Sequence, residues 1–284
     1  MDDKYIDLHS HSTCSDGTLS PAEIVRQAHD RGLAAISITD HDSIDGVSEG
    51  LEEATRLGIE FVSGCELSVY EGKQQVHILG YFIDTQNVFL QKQLQELQQL
   101  RDGRNDKMLD ALKNIGLPIP QQQILAIASS RLVTRAHIAK AMVRMGYCRS
   151  VREAFARYIG YGRPAFVPHE SMSAQACISM LLEAGGIPVL AHPYAYELQA
   201  DQIEELLKTL ANYGLMGLEC YYYNHSRAST KRALKWTQKY RLLATGGSDF
   251  HGDNRPGVYL GHGHGGLRVP YALLGAMQTA AKGL

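Results

Sequence analysis

Short apolar runs recur along this chain, and one after another they end in histidine or carboxylate residues. Tyr5-Ile6 leads into Asp7-Leu8-His9-Ser10-His11. Leu33-Ala34-Ala35-Ile36-Ser37-Ile38 leads into Thr39-Asp40-His41-Asp42, and Ile59-Glu60-Phe61-Val62 into Ser63-Gly64-Cys65-Glu66. Val76-His77-Ile78-Leu79-Gly80 carries its histidine inside the run. Farther on, Ile187-Pro188-Val189-Leu190-Ala191 ends at His192-Pro193, Leu215-Met216-Gly217-Leu218 at Glu219, and Leu242-Leu243-Ala244-Thr245-Gly246-Gly247 at Ser248-Asp249-Phe250-His251. Helix-like segments lie between them, such as Pro21 to Arg31 and Val47 to Leu57. This alternation predicts an α/β fold with a mostly parallel sheet. Ligating side chains at the C-terminal ends of buried strands are how a βα barrel builds its site.

Residues i and i+2 of a strand point to the same face, so His9 and His11 aim both imidazoles at one point. Asp16-Gly17 follows within a turn's reach and brings a carboxylate. One histidine alone signals little, and His169, His225, His262 and His264 sit in loop-like stretches. The recurrence is different, because buried ionisable groups destabilise a fold unless paired or bound to metal. The pattern therefore predicts a metal centre. Imidazole and carboxylate ligands without thiolate suit manganese, iron or zinc. Ser10 and Ser12 alternate with the histidines and should face the other way. They, like Cys14, are not expected to act as nucleophiles.

A length of 284 residues accommodates one barrel plus an insertion. The formal net charge of −2 does not announce a nucleic-acid partner. No apolar run reaches the roughly 18 residues of a membrane span. Met1-Asp2-Asp3-Lys4 is expected to enter the first strand at once, and no signal peptide is expected. The five cysteines, Cys14, Cys65, Cys148, Cys177 and Cys220, form no C-x-x-C pair. Reduced thiols and a cytoplasmic location are expected.

The alternation breaks after Tyr81-Phe82-Ile83-Asp84. Val88 to Ile115 reads as one long helix, with Leu90, Leu94, Leu97, Leu100, Met108 and Leu112 as its packing stripe. Gly116-Leu117-Pro118 ends it. Shorter helices are predicted at about 121–129, 134–146 and 150–158, and the barrel resumes near Pro164-Ala165-Phe166-Val167. Residues 1–83 and 165–284 are thus expected to form the barrel, and residues 84–164 an all-helical insertion over its mouth. Between residues 116 and 164 the basic residues are Arg131, Arg135, Lys140, Arg144, Arg149, Arg152, Arg157 and Arg163. Glu153 is the only acid, so the local balance is +7. A single-sign covering of this kind suits an anionic substrate. Thr134 is the expected N-cap of a helix whose first turn holds Arg135 and His137. A helix N-terminus favours anions, and an Arg fork adds bidentate geometry for phosphate. Tyr221-Tyr222-Tyr223 offers a base-stacking ring, although alternate strand positions more often simply pack.

The order H-x-H, Asp, T-D-H-D, G-x-E, His, A-H-P, Glu, S-D-x-H resembles the polymerase and histidinol phosphatase (PHP) family of the amidohydrolase superfamily. The similarity spans roughly residues 5–83 and 165–255. It implies a distorted (β/α)7 barrel with an all-helical insertion and two to three divalent metal ions, manganese foremost, with iron and zinc as alternatives. By position it implies His9, His11, Glu66 and Asp249 at a first site. Glu66 would bridge to a second site with His77 and His192, and Asp16, His41 and His251 would hold a third. Asp40 is expected to support a ligand from behind, and Glu219 and His225 either to do the same or to face substrate. His192, Asp249 and His251 are expected to serve catalysis. Such a centre lowers the pKa of a bound water to about 7 and neutralises phosphoryl charge. Within the family the chain is most similar to 3′,5′-nucleoside bisphosphate phosphatases and the related 5′-to-3′ exoribonucleases. The expected activity is hydrolysis of the 3′-phosphate of a bisphosphorylated nucleoside such as adenosine 3′,5′-bisphosphate. The alternatives are trimming of short 5′-phosphorylated RNA, histidinol phosphate hydrolysis, and a non-catalytic metal-binding module. Arg135, His137, Arg163 and His225 are the expected substrate contacts. No membrane and no obligate protein partner is expected.

Overall fold

The computed structural model describes residues 4–128, 132–168 and 171–284. The barrel strands are β1 (Tyr5–Asp7), β2 (Ala35–Ile38), β3 (Glu60–Glu71), β4 (Gln74–Tyr81), β5 (Ile187–Leu190), β6 (Gly217–Tyr222), β7 (Leu243–Gly247) and β8 (Val269–Pro270). They form one sheet in the order β7-β6-β5-β4-β3-β2-β1-β8. β1, β2 and β3 run parallel, as do β5, β6 and β7. β4 runs against both of its neighbours, and β8 runs against β1. The sheet closes beyond β1: the Leu8 amide donates to the Gly246 carbonyl (3.2 Å) and the His11 amide to the Phe250 carbonyl (2.8 Å). Gly247 permits that approach, because a Cβ there would lie 2.4 Å from the backbone nitrogen of His9.

The reversed β4 is the main departure from a regular alternation. Glu71 pairs with Gln74 across the two-residue turn Gly72-Lys73, where Gly72 has a φ of +58°. No helix fits into so short a connection. The hairpin sets His77 opposite Ser68 on β3, and the first residues of β4 lie beside the C-terminal end of β3.

Helices α1 (Pro21–Asp30) and α2 (Val47–Leu57) cover one flank. Ser20 caps α1 in a capping box with Glu23, and Pro21 follows at the first helical position. Ile24, Val25 and Ala28 then pack against Ile36 and Ile38 of β2. Helices α3 (Val88–Asn114), α4 (Gln121–Leu125), α5 (Arg135–Arg144) and α6 (Val151–Ala154) fall between β4 and β5, and α6 runs into a π-helical turn over Phe155–Ile159. The second half of this segment has its own core of Met108, Leu112, Ile138, Met142 and Ile159. Leu90, Leu94 and Leu97 of α3 join the barrel-side core instead, packing with α7 (Ala174–Glu183). One helix therefore belongs to both cores.

The predicted stripe on α3 needs one correction. Leu100 is exposed, and Arg101, Arg104 and Asn105 take the buried face between Leu97 and Met108. The positions 97, 101, 104, 105 and 108 follow the helical repeat, so the face is continuous and only its chemistry changes. Helices α8 (Ala200–Asn212) and α9 (Arg227–Tyr240) flank β6, and α10 (Ala272–Ala281) packs Leu274 and Met277 against Ile6, Leu8 and Val189. No helix among the described residues is long and apolar enough to cross a membrane.

Candidate metal centre

The strand ends converge on Glu66, which is fully buried in β3. Its Oε1 lies 2.9 Å from His192 Nε2, 3.0 Å from His77 Nδ1 and 3.4 Å from His9 Nε2. Its Oε2 lies 3.0 Å from His41 Nδ1 and 3.4 Å from His11 Nε2. Asp249 Oδ1 adds a second carboxylate oxygen, 3.2 Å from His11 Nε2 and 3.6 Å from His9 Nε2. Farther out, Asp16 Oδ1 is 3.3 Å from His251 Nε2 and 3.9 Å from His41 Nε2.

These atoms form overlapping groups, each spanning no more than 4.8 Å: His9–His11–Glu66, His9–His192–Asp249, His41–Glu66–His77, and His11–Asp16–His41–His251. Every residue expected to bind metal falls in one of them. His11 was expected only at the first site, yet it also faces Asp16 and His251. A divalent cation fits this set by its donor chemistry and by its unmet needs. His9 Nε2, both ring nitrogens of His11, His192 Nδ1 and Asp16 Oδ1 are buried without a hydrogen-bond partner. Each such group costs about 1–3 kcal/mol, which coordination would offset.

Charge balance points the same way. Burial alone would raise the Glu66 carboxyl, but the imidazoles of His77, His41 and His9 outweigh it and hold it well below the ordinary carboxylate range. Burial opposes protonation of His9, yet Glu219, Asp249 and Glu66 hold its pKa well above the usual value, so a metal ion would bind at Nε2 by displacing the proton held there. His11 has less carboxylate around it. Burial and the neighbouring His251 and His41 push it down to about 3, so its ring is neutral and free to coordinate.

A surrounding layer fixes the orientation of these rings. Glu219, fully buried within β6, accepts from His9 Nδ1 (2.8 Å) and from the His192 amide (2.7 Å). Its two oxygens are thus both committed to these donors. The contact puts the His9 proton on Nδ1 and leaves the Nε2 lone pair toward the cluster. His251 Nδ1 donates to the Asp249 carbonyl (2.9 Å) and is fixed in the same sense. Asp249 Oδ2 accepts from the Tyr222 hydroxyl (2.8 Å) and from Arg255, leaving Oδ1 for the imidazoles. His192 and Asp249 both have left-handed backbone, with φ of 24° and 52°. Strain of this kind collects at functional sites.

Asp40 supports a candidate ligand through a loop and not through a ring. Its carboxylate accepts from the Ser12 amide (2.7 Å), the Ser12 hydroxyl (2.6 Å) and the Ser15 hydroxyl, and it touches no histidine ring. It fixes the loop 12–17 that delivers Asp16. Gly17 is required in that loop, because a Cβ there would lie 2.0 Å from the His11 carbonyl oxygen. Ser10 points away from the cluster, as expected, to the Ser37 carbonyl.

The substrate candidates separate. Arg135 begins α5 and lines a cleft of about 160 Å³ together with Asp16, His41, His77, Arg101 and Arg104. His137 is buried outside that lining, and its Nδ1 accepts from the Thr134 amide (3.1 Å), so it caps α5. Arg163 is exposed in the turn after the π-helical segment and does not line the cleft. His225 bonds through Nδ1 to the Cys220 carbonyl (3.0 Å) and lines a different recess. Arg131 and His169 lie outside the described residues. The sequence reading missed Arg101, Arg104 and Arg255. The interruption of the α3 leucine stripe was the available signal for the first two. Arg101 pairs with buried Asp42, and burial pushes its pKa down to about 10. Arg104 is pushed down to about 9 by burial and by Arg101 and Arg135.

The PHP domain model matches residues 7–219. The chain belongs to the PHP domain family. It is 34% identical over 251 residues to a 5′-3′ exoribonuclease of Haemophilus influenzae, covering 88% of this chain and 91% of that protein. It is 32% identical over 258 residues to a 3′,5′-nucleoside bisphosphate phosphatase of Chromobacterium violaceum, with 90% of each covered. Among solved structures, a protein described as a metal-dependent phosphoesterase from Bifidobacterium adolescentis superposes with a TM-score of 0.86 at 28% identity. That match covers 97% of this chain and 96% of that one. The barrel is thus a PHP barrel, and the Glu66 cluster occupies the position where the strand-end motifs of the sequence converge.

Proposed function

We propose that this PHP protein is a phosphomonoesterase that removes the 3′-phosphate from a 3′,5′-bisphosphorylated nucleoside, using two to three divalent ions, manganese foremost. The coarser class, hydrolysis of a phosphoester bond, is common to the relatives it resembles. The observation that carries the finer reading is the cleft beside Glu66. Arg101, Arg104 and Arg135 share a space of about 160 Å³ with Asp16, His41 and His77. Neither Arg135 nor Arg104 has a carboxylate oxygen within 4 Å among the described residues, and burial lowers the pKa of both. Such a cluster calls for an anion with more than one negative charge. A recess of this size suits one phosphate with part of its sugar.

When bound, the ions would supply an activated water and neutralise the reacting phosphoryl group. The chain's own residues do the rest. His9, His11, Glu66, His77, His192 and Asp249 would hold ions, and Asp16, His41 and His251 would hold one more. In this reading His192, Asp249 and His251 serve catalysis by keeping donor atoms in place. Arg135 and Arg104 bind the phosphate that does not react, and Arg101, anchored on Asp42, keeps α3 and its neighbour Arg104 against the barrel. The free thiols, all but Cys14 buried, fit a reducing, cytoplasmic setting.

The similarity to the Haemophilus influenzae protein favours a second reading, trimming of short 5′-phosphorylated RNA. Phosphate release from adenosine 3′,5′-bisphosphate with manganese, run beside mononucleotide release from a 5′-labelled RNA oligomer, separates the two. The expected result is a higher kcat/KM on the bisphosphate. A higher value on RNA would replace the first reading by the second, and no turnover of either would remove both.

A further inference from the structure

A recess of about 550 Å³ lies on the far side of Tyr222 from the metal cluster. Its walls are the end of β6, the start of α9 and the loop before β8. Tyr223, His225 and His264 supply rings, and Arg227, Lys231 and Arg268 supply cations. The lining contains no aspartate or glutamate. Arg227 and Lys231 stand one helical turn apart in the first turns of α9, where the backbone N–H groups already favour an anion. The Tyr223 ring is half-buried, with His264 edge-on at 4.9 Å and the Arg255 guanidinium 5.4 Å from its centroid. His225 Nε2 is buried without a hydrogen-bond partner. The volume is that of an ordinary small-ligand site.

This recess shares a wall with the reaction centre. The Tyr222 hydroxyl bonds to Asp249 Oδ2 at 2.8 Å, and Arg255 touches both Asp249 and Tyr223. Aromatic rings interleaved with cations, adjoining the candidate metal centre across Tyr222, are the chemistry that holds single-stranded nucleic acid: rings stack bases, and cations follow the backbone. We propose that the recess binds the nucleotide of a single-stranded nucleic acid next to the one at the metal cluster. It would let one centre act on an oligonucleotide end as well as on a mononucleotide. The placement rests on the phosphoesterase reading only for which nucleotide lies where.

The test uses the full chain in EDTA and a 5′-phosphorylated, fluorescently labelled RNA pentamer, with affinity read by anisotropy. The variants are Tyr223→Ala, with Tyr223→Phe as its conservative control, and the double variant Arg227→Ala/Lys231→Ala. Stacking of one base predicts a loss of about 5- to 150-fold in affinity for Tyr223→Ala, with Tyr223→Phe near wild type. The double variant should also weaken binding and flatten its salt dependence. Hydrolysis of adenosine 3′,5′-bisphosphate should stay within about twofold in all of them. Unchanged RNA affinity would overturn the proposal. So would equal losses on RNA and on the mononucleotide, or displacement of RNA by polyglutamate at matched charge. Because binding is read in EDTA, absence of phosphoesterase turnover would sink the catalytic reading and leave this test intact.

Discussion

Glu219→Gln tests the claim that the layer behind the metal ligands sets their protonation. Glu219 has no exposure to solvent, and each of its oxygens accepts one hydrogen bond, from His9 Nδ1 at 2.8 Å and from the His192 amide at 2.7 Å. Glutamine has the same shape but only one acceptor. The His192 amide is always a donor, so the amide oxygen will turn to it. The NH₂ group then faces His9 Nδ1, and two donors cannot share that contact. The ring must shift its proton to Nε2, which removes the lone pair that faces Glu66 and Asp249. Loss of such an orienting partner typically costs 10–100-fold in metal affinity or activity, or about 1.4–2.7 kcal/mol at 1.36 kcal/mol per tenfold. The assay is metal content by mass spectrometry after dialysis against graded free manganese, with kcat/KM measured at saturating metal and circular dichroism as a check on folding. The expected result is a folded protein that needs 10–100-fold more free metal to fill. Wild-type metal content and wild-type kcat/KM together would refute the argument, because the tautomer of His9 would then not depend on Glu219.

Three further outcomes follow. His9→Asn, Glu66→Gln and Asp249→Asn should each abolish turnover and lower metal content, with Glu66→Gln the most damaging because five imidazoles surround its carboxylate; full activity with metal retained in Glu66→Gln would remove the cluster assignment. Arg135→Ala should lower kcat/KM on the bisphosphate by about ten- to a hundredfold, the worth of a 1.5–3 kcal/mol charge-assisted contact. The deficit should shrink on a nucleotide lacking the phosphate that Arg135 reads, and an equal deficit on both would mean that it supports the fold. Burial and the nearby Asp40 carboxylate push the Cys14 thiol up to about 11, so its thiolate forms only as pH climbs toward that value. Iodoacetamide labelling at Cys14, followed by peptide mapping, should therefore be slow at pH 7.5 and rise about tenfold per pH unit through pH 9; rapid labelling at pH 7.5 would contradict this setting.

The barrel and its candidate metal cluster were legible in local patterns. Short apolar runs ending in His, Asp or Glu mark which side chains gather at the cluster, because strand geometry and burial are local properties of the sequence, although β3 and β6 run on past Glu66 and Glu219. The long α3 was legible for the same reason, through its leucine spacing. Tertiary contacts decided what remained. The direction of β4 depended on a two-residue turn that leaves no room for a crossover helix, a geometric fact that hydrophobic periodicity does not encode. Arg101 and Arg104 break the leucine stripe in sequence, yet only the fold shows that this face of α3 meets the Asp16–His41 side of the cluster. His137 and Arg163 shared the composition of Arg135, but capping took the first and a solvent-facing turn the second. Asp40 and Glu219 are both buried carboxylates that follow apolar runs. One fixes a loop and the other a ring, because what a buried carboxylate does depends on which donors the rest of the chain brings within hydrogen-bond reach.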